Sequence, residues 1–155
     1  MTYESFKKEF LDTHNAYRAK HSAPPVKYNE ELNAAAQKWA DHMLQINTLQ
    51  HSDTKDGENV FSSWSSETLN PTGKEAVDSW YSEIKDYSWS NPGFSGNTGK
   101  HWFRQVGVGV ATDGNKLFVV GQYRPAATWS CKDTLVFVVP VLSSPVTHKY
   151  LPHPD

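Results

Sequence analysis

The hydrophobic rhythm of this chain changes once, and that change constrains the fold more than any other feature. Up to Ile84 the apolar residues recur every three to four positions. Phe6, Phe10, His14 and Tyr17 do so over residues 3–21, and Leu32, Ala36, Trp39, Met43 and Ile46 do so over residues 30–47. Ala76, Val77, Trp80, Tyr81 and Ile84 make a third stripe. That spacing places one face of a helix in a core. After an irregular, Gly- and aromatic-rich stretch at 88–105, the period falls to two. Val106-Gly107-Val108-Gly109-Val110 alternates, and Leu117–Tyr123 reads as a second strand. Asp113-Gly114, between the two runs, is a hairpin signal. Helices first and strands later predict an α+β domain.

The helix starts carry their own signals. Asn29 is placed to cap the second helix. Thr72-Gly73-Lys74-Glu75 has the form of a capping box, in which a threonine and a glutamate satisfy each other's backbone donors. The first helix is expected to stop before Pro24-Pro25. Between the second and third helices, residues 48–71 read as a long polar connection. A loop of that length in a compact domain is usually functional. It carries His51 and Glu58, the latter within Gly57-Glu58-Asn59. Glu83 follows Trp80 and precedes Tyr87 at helical spacing, which puts a carboxylate beside the third apolar stripe.

Composition excludes several roles. The net charge is −2 and no Lys/Arg-rich run occurs, so nothing points to a nucleic-acid partner. Cys131 is the single cysteine, so no internal disulfide forms, which fits a reducing compartment. Met1–Lys7 lacks a basic segment followed by an apolar run, so no signal peptide is expected, and Thr2 stands where N-myristoylation needs glycine. The longest apolar run, Leu135–Leu142, is too short to span a bilayer. The length of 155 residues and the absence of repeats or linkers suggest one domain.

Several short motifs occur in a fixed order: His14-Asn15-x-Tyr17-Arg18, His51-Ser52 with Gly57-Glu58-Asn59-Val60, Trp80-Tyr81-x-Glu83, and Gly121-Gln122-Tyr123-x-Pro125. Together, over residues 5–126, they resemble the CAP superfamily of cysteine-rich secretory, antigen-five and pathogenesis-related proteins. The low cysteine content and Trp80–Phe94 are most similar to its Golgi-associated pathogenesis-related branch. The resemblance implies a three-layer α-β-α sandwich around a central antiparallel sheet. It divides the chain into a CAP domain at 1–127 and a divergent tail at 128–155. It also implies a cleft holding His51, Glu58, Glu83 and His101.

Two imidazoles beside two carboxylates are suitable ligands for a first-row metal, zinc above all, with His51 and His101 as the nitrogen donors. The carboxylates then ligate or fix the ring tautomers. Without the resemblance, His51 and Glu58 read as a hydrogen-bonded loop brace and Glu83 as a solvated helix-margin residue. His14 reads as a packing brace on an apolar face, and His21, His42, His148 and His153 as surface residues.

The resemblance implies a non-catalytic protein that binds lipid, sterol or an anionic membrane surface, with a protein partner and homodimerisation. Its expected place is intracellular, Golgi or membrane-peripheral, with an extracellular location as the alternative. The alternative function is a metal-assisted hydrolase or protease-like enzyme using the same four residues. Ser52 and Ser82 adjoin two of them, yet neither lies in a nucleophile-elbow context, so an attacking group would have to be metal-activated water.

The pattern departs from the family after His101. The segment His101–Gly109 is about seven residues shorter than the family motif, a reach on the order of 20 Å of extended chain. The expectation is that Val106–Val110 keeps its place in the sheet and His101 is drawn out of the cleft. The burial of several apolar groups outweighs one imidazole's hydrogen bonds.

Overall fold

The structure, a computed structural model, describes residues 2–20, 24–82 and 104–124. Its elements run α1 (Tyr3–Lys20), β1 (Lys27–Tyr28), α2 (Glu30–Ile46), β2 (Gly57–Trp64), α3 (Gly73–Tyr81), β3 (Gln105–Thr112) and β4 (Lys116–Arg124). The three helices and the hairpin lie where the two periods place them. Asn29 caps α2, its side chain accepting from the N–H groups of Glu31 and Leu32. Thr72 caps α3 by accepting from Glu75 N–H. α2 ends at Asn47, a residue that tolerates the left-handed conformation it adopts there (φ 53°). In the hairpin turn Gly114 has φ +100°, which only glycine takes without strain.

The strand order is β1-β3-β4-β2. β2 and β3 both pair antiparallel with β4, with Val108 opposite Gly121 and Val60 opposite Val120. The central β2, β4 and β3 strands are antiparallel, as expected, and a short parallel strand is added at one edge. β1 runs parallel to β3, pairing Lys27 with Gln105 and Tyr28 with Val106, so the sheet is mixed. Two residues are too few to show a period in the sequence.

A correction concerns residues 48–71, which are not one irregular connection. They contain β2, an eight-residue strand. Gly57, Glu58 and Asn59 are poor strand formers, and the strand is buried from Gly57 through Ser62 with no in-out alternation. A strand covered on both faces gives no period-two signal.

The sheet separates two apolar layers. On one face, Phe6 and Phe10 of α1 and Val77 and Trp80 of α3 meet Val106, Val108, Val119 and Tyr123. On the other, Ala36, Ala40 and Met43 of α2 meet Val60, Ala111, Phe118 and Val120. α2 lies directly on β3 because Gly107 and Gly109 have no side chains. A Cβ at Gly107 would overlap the Leu32 and Asn33 backbone, and one at Gly109 the Ala36 backbone. The glycines of Val-Gly-Val-Gly-Val therefore serve close approach by a helix, while its valines face α1 and α3.

His14 is fully buried in the first layer, as its apolar position predicts. Its Nδ1 lies 2.9 Å from the Phe10 carbonyl, which can only accept, so Nδ1 carries the proton. Nε2, 2.8 Å from the Tyr123 hydroxyl, then accepts from it. Burial holds the imidazole down at about pKa 4 against the Phe10 hydrogen bond, with the Arg18 charge lowering it further. The ring is thus neutral at physiological pH.

Candidate functional site

The site is built on the seam between the loop entering β2 and the centre of the sheet. Glu58 and Gln122 are register partners on β2 and β4. They therefore emerge side by side, on the face that Val60 and Val120 share with α2. Upstream, the loop is pinned to α2 by Trp39, whose indole N–H donates to the Gln50 carbonyl at 2.8 Å. At its other end Arg124 clamps Asp56 through two parallel bonds, Nε to Oδ1 at 3.0 Å and a terminal nitrogen to Oδ2 at 2.9 Å. His51 and Ser52 lie between these two fixtures.

The Glu58 carboxylate is buried and fully engaged. Oε1 lies 3.1 Å from His51 Nδ1 and accepts the Ser52 backbone N–H at 2.7 Å. Oε2 accepts the Ser52 hydroxyl at 2.6 Å and the Gln122 amide N–H at 2.9 Å. Four donors fill about the four lone-pair positions that a carboxylate offers. Burial pushes the Glu58 pKa up, but the bonds from His51, Ser52 and Gln122 outweigh it and hold the group below its usual range. Glu58 stays ionised.

An ionised carboxylate only accepts, so His51 Nδ1 carries the proton that faces it. In the neutral ring Nε2 is then a bare lone pair. That atom is buried and has no hydrogen-bond partner among the described residues. The arrangement matches the carboxylate–histidine pair that orients a metal-ligating imidazole. Among the described residues this leaves His51 Nε2 as one candidate ligand atom, with Glu58 as the residue that fixes its ring.

Of the four cleft residues expected from the sequence, the structure brings His51 and Glu58 together. Glu83 and His101 lie outside the described residues. Among the described residues, no three His, Cys, Asp or Glu side chains converge on a common centre. Val106–Val110 is fully paired with β4, as expected of the strand after the shortened segment. The position of His101, the other half of that expectation, falls outside the described residues.

Two participants were not evident from sequence. In sequence Ser52 reads as part of the His51-Ser52 motif or as a nucleophile without an elbow; in the structure its hydroxyl proton is committed to Glu58. In sequence Gln122 reads only as part of Gly121-Gln122-Tyr123. Its role depends on the β2–β4 register, which could be counted only once β2 was known to be a strand.

The family model for CAP, the Cysteine-rich secretory protein family, matches residues 11–131. The chain belongs to the CAP family. It is 40% identical over 135 residues to Golgi-associated plant pathogenesis-related protein 1 of Homo sapiens, covering 79% of this chain and 84% of that protein. Among solved structures it resembles BmVAL-1 at 24% identity, with a TM-score of 0.61 over 81% of this chain and 79% of that one. It also resembles NaASP2, solved with Zn2+, at 21% identity and a TM-score of 0.60, covering 82% of each. These structures share its CAP sandwich.

Proposed function

We propose that this CAP domain is a non-catalytic binding module whose His51–Glu58 cleft takes a zinc ion through His51 Nε2. The buried, unpartnered lone pair on that nitrogen carries the reading. A buried acceptor left unpaired costs about 1–3 kcal/mol, and a ligand removes that cost. Glu58 holds the ring in the tautomer that leaves Nε2 free. His101, the second histidine of the family pattern, is the proposed second nitrogen ligand. Zinc bound there supplies a positive charge and a Lewis-acidic centre.

The hydrogen-bond pattern weighs against the metal-assisted hydrolase. A general base needs a free lone pair toward its substrate, and all four acceptor positions of Glu58 are occupied. Isothermal calorimetry tests the binding reading. Zinc uptake should fall when His51 or His101 becomes alanine. Equal uptake by wild type and the His51→Ala/His101→Ala double variant would overturn the reading.

The wider role proposed, after the CAP resemblance, is weak association with lipid, sterol or an anionic membrane surface, at a Golgi or other membrane-peripheral location, with secretion as the alternative. Among the described residues no helix is long and apolar enough to cross a membrane. With a net charge of −2, only local positive groups can attract anionic headgroups. Vesicle flotation should show binding that weakens with salt. Tight binding that survives high salt would contradict it.

A further inference from the structure

Between α2 and β2 the chain reads Gln50-His51-Ser52-Asp53-Thr54-Lys55-Asp56, without one apolar side chain. None of these residues is buried. The chain is anchored on either side of them. Leu49 packs against the α2 layer, and Gly57 opens β2 opposite Tyr123. Among the described residues, every hydrogen bond that ties 50–56 to the rest of the fold goes to one of three side chains. Trp39 Nε1 donates to the Gln50 carbonyl at one end, and Arg124 grips the Asp56 carboxylate at the other. Between them Glu58 accepts from His51 and Ser52. A further bond, from the Asp56 N–H to Thr54 Oγ1 at 3.1 Å, stays within the segment.

A stretch with few buried apolar contacts, held by polar bonds within reach of water, opens at a lower free energy than the core beside it. Residues 50–56 meet both conditions. The Arg124 side chain is 36% exposed, and the Trp39–Gln50 bond lies at the surface. The sheet need not take part, because β2 is paired with β4 from Gly57 onward. The Glu58 contacts determine what such an opening uncovers. Three of the four bonds accepted by its carboxylate come from the segment, and the Gln122 amide on β4 gives the fourth.

We propose that residues 50–56 form a strap that opens as one unit, latched by Trp39 and Arg124, and that its opening controls access to the Glu58 carboxylate and the Gln122 amide. Closed, the strap fills Glu58 with its own donors, which stand where the donors of an entering group would stand. Open, the carboxylate and the amide face solvent, and His51 leaves with Ser52. As regulation of the proposed cleft this rests on the binding reading above. The opening itself is measured without zinc, so either reading can fail without the other.

Amide hydrogen exchange of the zinc-free protein, followed residue by residue by NMR, tests the strap. The Ser52 N–H, bonded to Glu58 Oε1 at 2.7 Å, reports on it. Val119, fully buried in the central strand β4, reports on global unfolding. After correction for intrinsic rates, Ser52 should exchange about a hundredfold or more faster than Val119. Its rate should depend little on urea, because opening a polar strap exposes little surface. Ser52 exchanging in step with Val119 would overturn the proposal. Cutting either latch should speed Ser52 exchange, about two- to fivefold in Arg124→Met and about two- to tenfold in Trp39→Phe. Wild-type exchange at Ser52 in both variants, with melting showing them folded, would overturn the opening as a unit. Should a latch variant not fold, the wild-type comparison of Ser52 with Val119 decides. Carbodiimide labelling of Glu58, read by mass spectrometry, should accelerate in each latch variant by the same factor as Ser52 exchange. Labelling that stays at the wild-type rate while Ser52 exchange accelerates would overturn the control of access.

Discussion

Gln37 holds Val110 by both ends of its amide: Oε1 accepts from the Val110 N–H at 3.0 Å, and Nε2 donates to the Val110 carbonyl at 2.9 Å. A side chain here imitates a neighbouring strand. β1 covers β3 only as far as Val106, so the outer edge beyond it needs other partners. Asn33 Oδ1 takes the Val108 N–H at 2.9 Å, and the Tyr3 hydroxyl donates to the Val108 carbonyl at 3.1 Å. Three side chains from α1 and α2 thus close a sheet edge that would otherwise be open to strand pairing.

Asn33→Ala should leave the buried Val108 N–H without a partner and cost about 1–3 kcal/mol in urea denaturation. The Asn33→Ala/Gln37→Ala double variant should associate at concentrations where wild type is monodisperse, as read by light scattering. A folded double variant with unchanged scattering would show that the edge is protected by other means.

Stability should fall with acid through His14. Its folded pKa of about 4 lies below the ordinary 6.5. The neutral ring's contribution is therefore complete above about pH 6.5 and is lost as pH falls toward 4, where the folded protein also takes up the proton. The full loss is about 3 kcal/mol at 1.4 kcal/mol per pKa unit. Denaturation midpoints between pH 7 and 4 should decline in wild type and decline less in His14→Gln.

Glu58→Gln should destabilise the fold by roughly 1.5–3 kcal/mol, the value of hydrogen bonds to a charged group. An amide cannot accept from all four donors that meet there. The depressed Glu58 pKa adds a second acid step: its stabilisation is present above the ordinary carboxylate pKa and is lost as pH falls through the lower folded value. The check is a thermal melt series in which the decline below about pH 4.5 is smaller in Glu58→Gln than in wild type.

Gly107→Ala and Gly109→Ala should each lift α2 from the sheet. The added methyl meets helix backbone rather than a movable side-chain end, so the expected cost is about 1–3 kcal/mol or more. Each variant should melt several degrees lower, whereas an alanine at Ala111 already belongs to the same contact layer. Wild-type melting of both variants would mean that α2 can shift without loss.

Three helices, the α3 and α2 caps and the β3–β4 hairpin were legible in the sequence because each rests on local physics. A 3.6-residue stripe, an Asn or Thr at a helix start and an Asp-Gly turn act over a few residues, and no distant partner is needed to read them. His14 was legible as a brace for the same reason, since it lies in phase with Phe6 and Phe10. The motif order that marks the CAP family was legible too.

The tertiary structure decided what depends on residues far apart in the chain. β2 is a strand because β4 pairs with it along its whole length, and burial on both faces erases the alternation that would have announced it. Gly107 and Gly109 are glycines because a helix some seventy residues earlier rests on them. Glu58 passed for a loop residue, yet it is a buried anion, because Gln122 arrives beside it only through the β2–β4 register. A carboxylate in a polar stretch of sequence carries no sign of its burial. Only the fold brings the four donors that keep it charged, and only that fixed charge sets the proton on the His51 nitrogen that faces it.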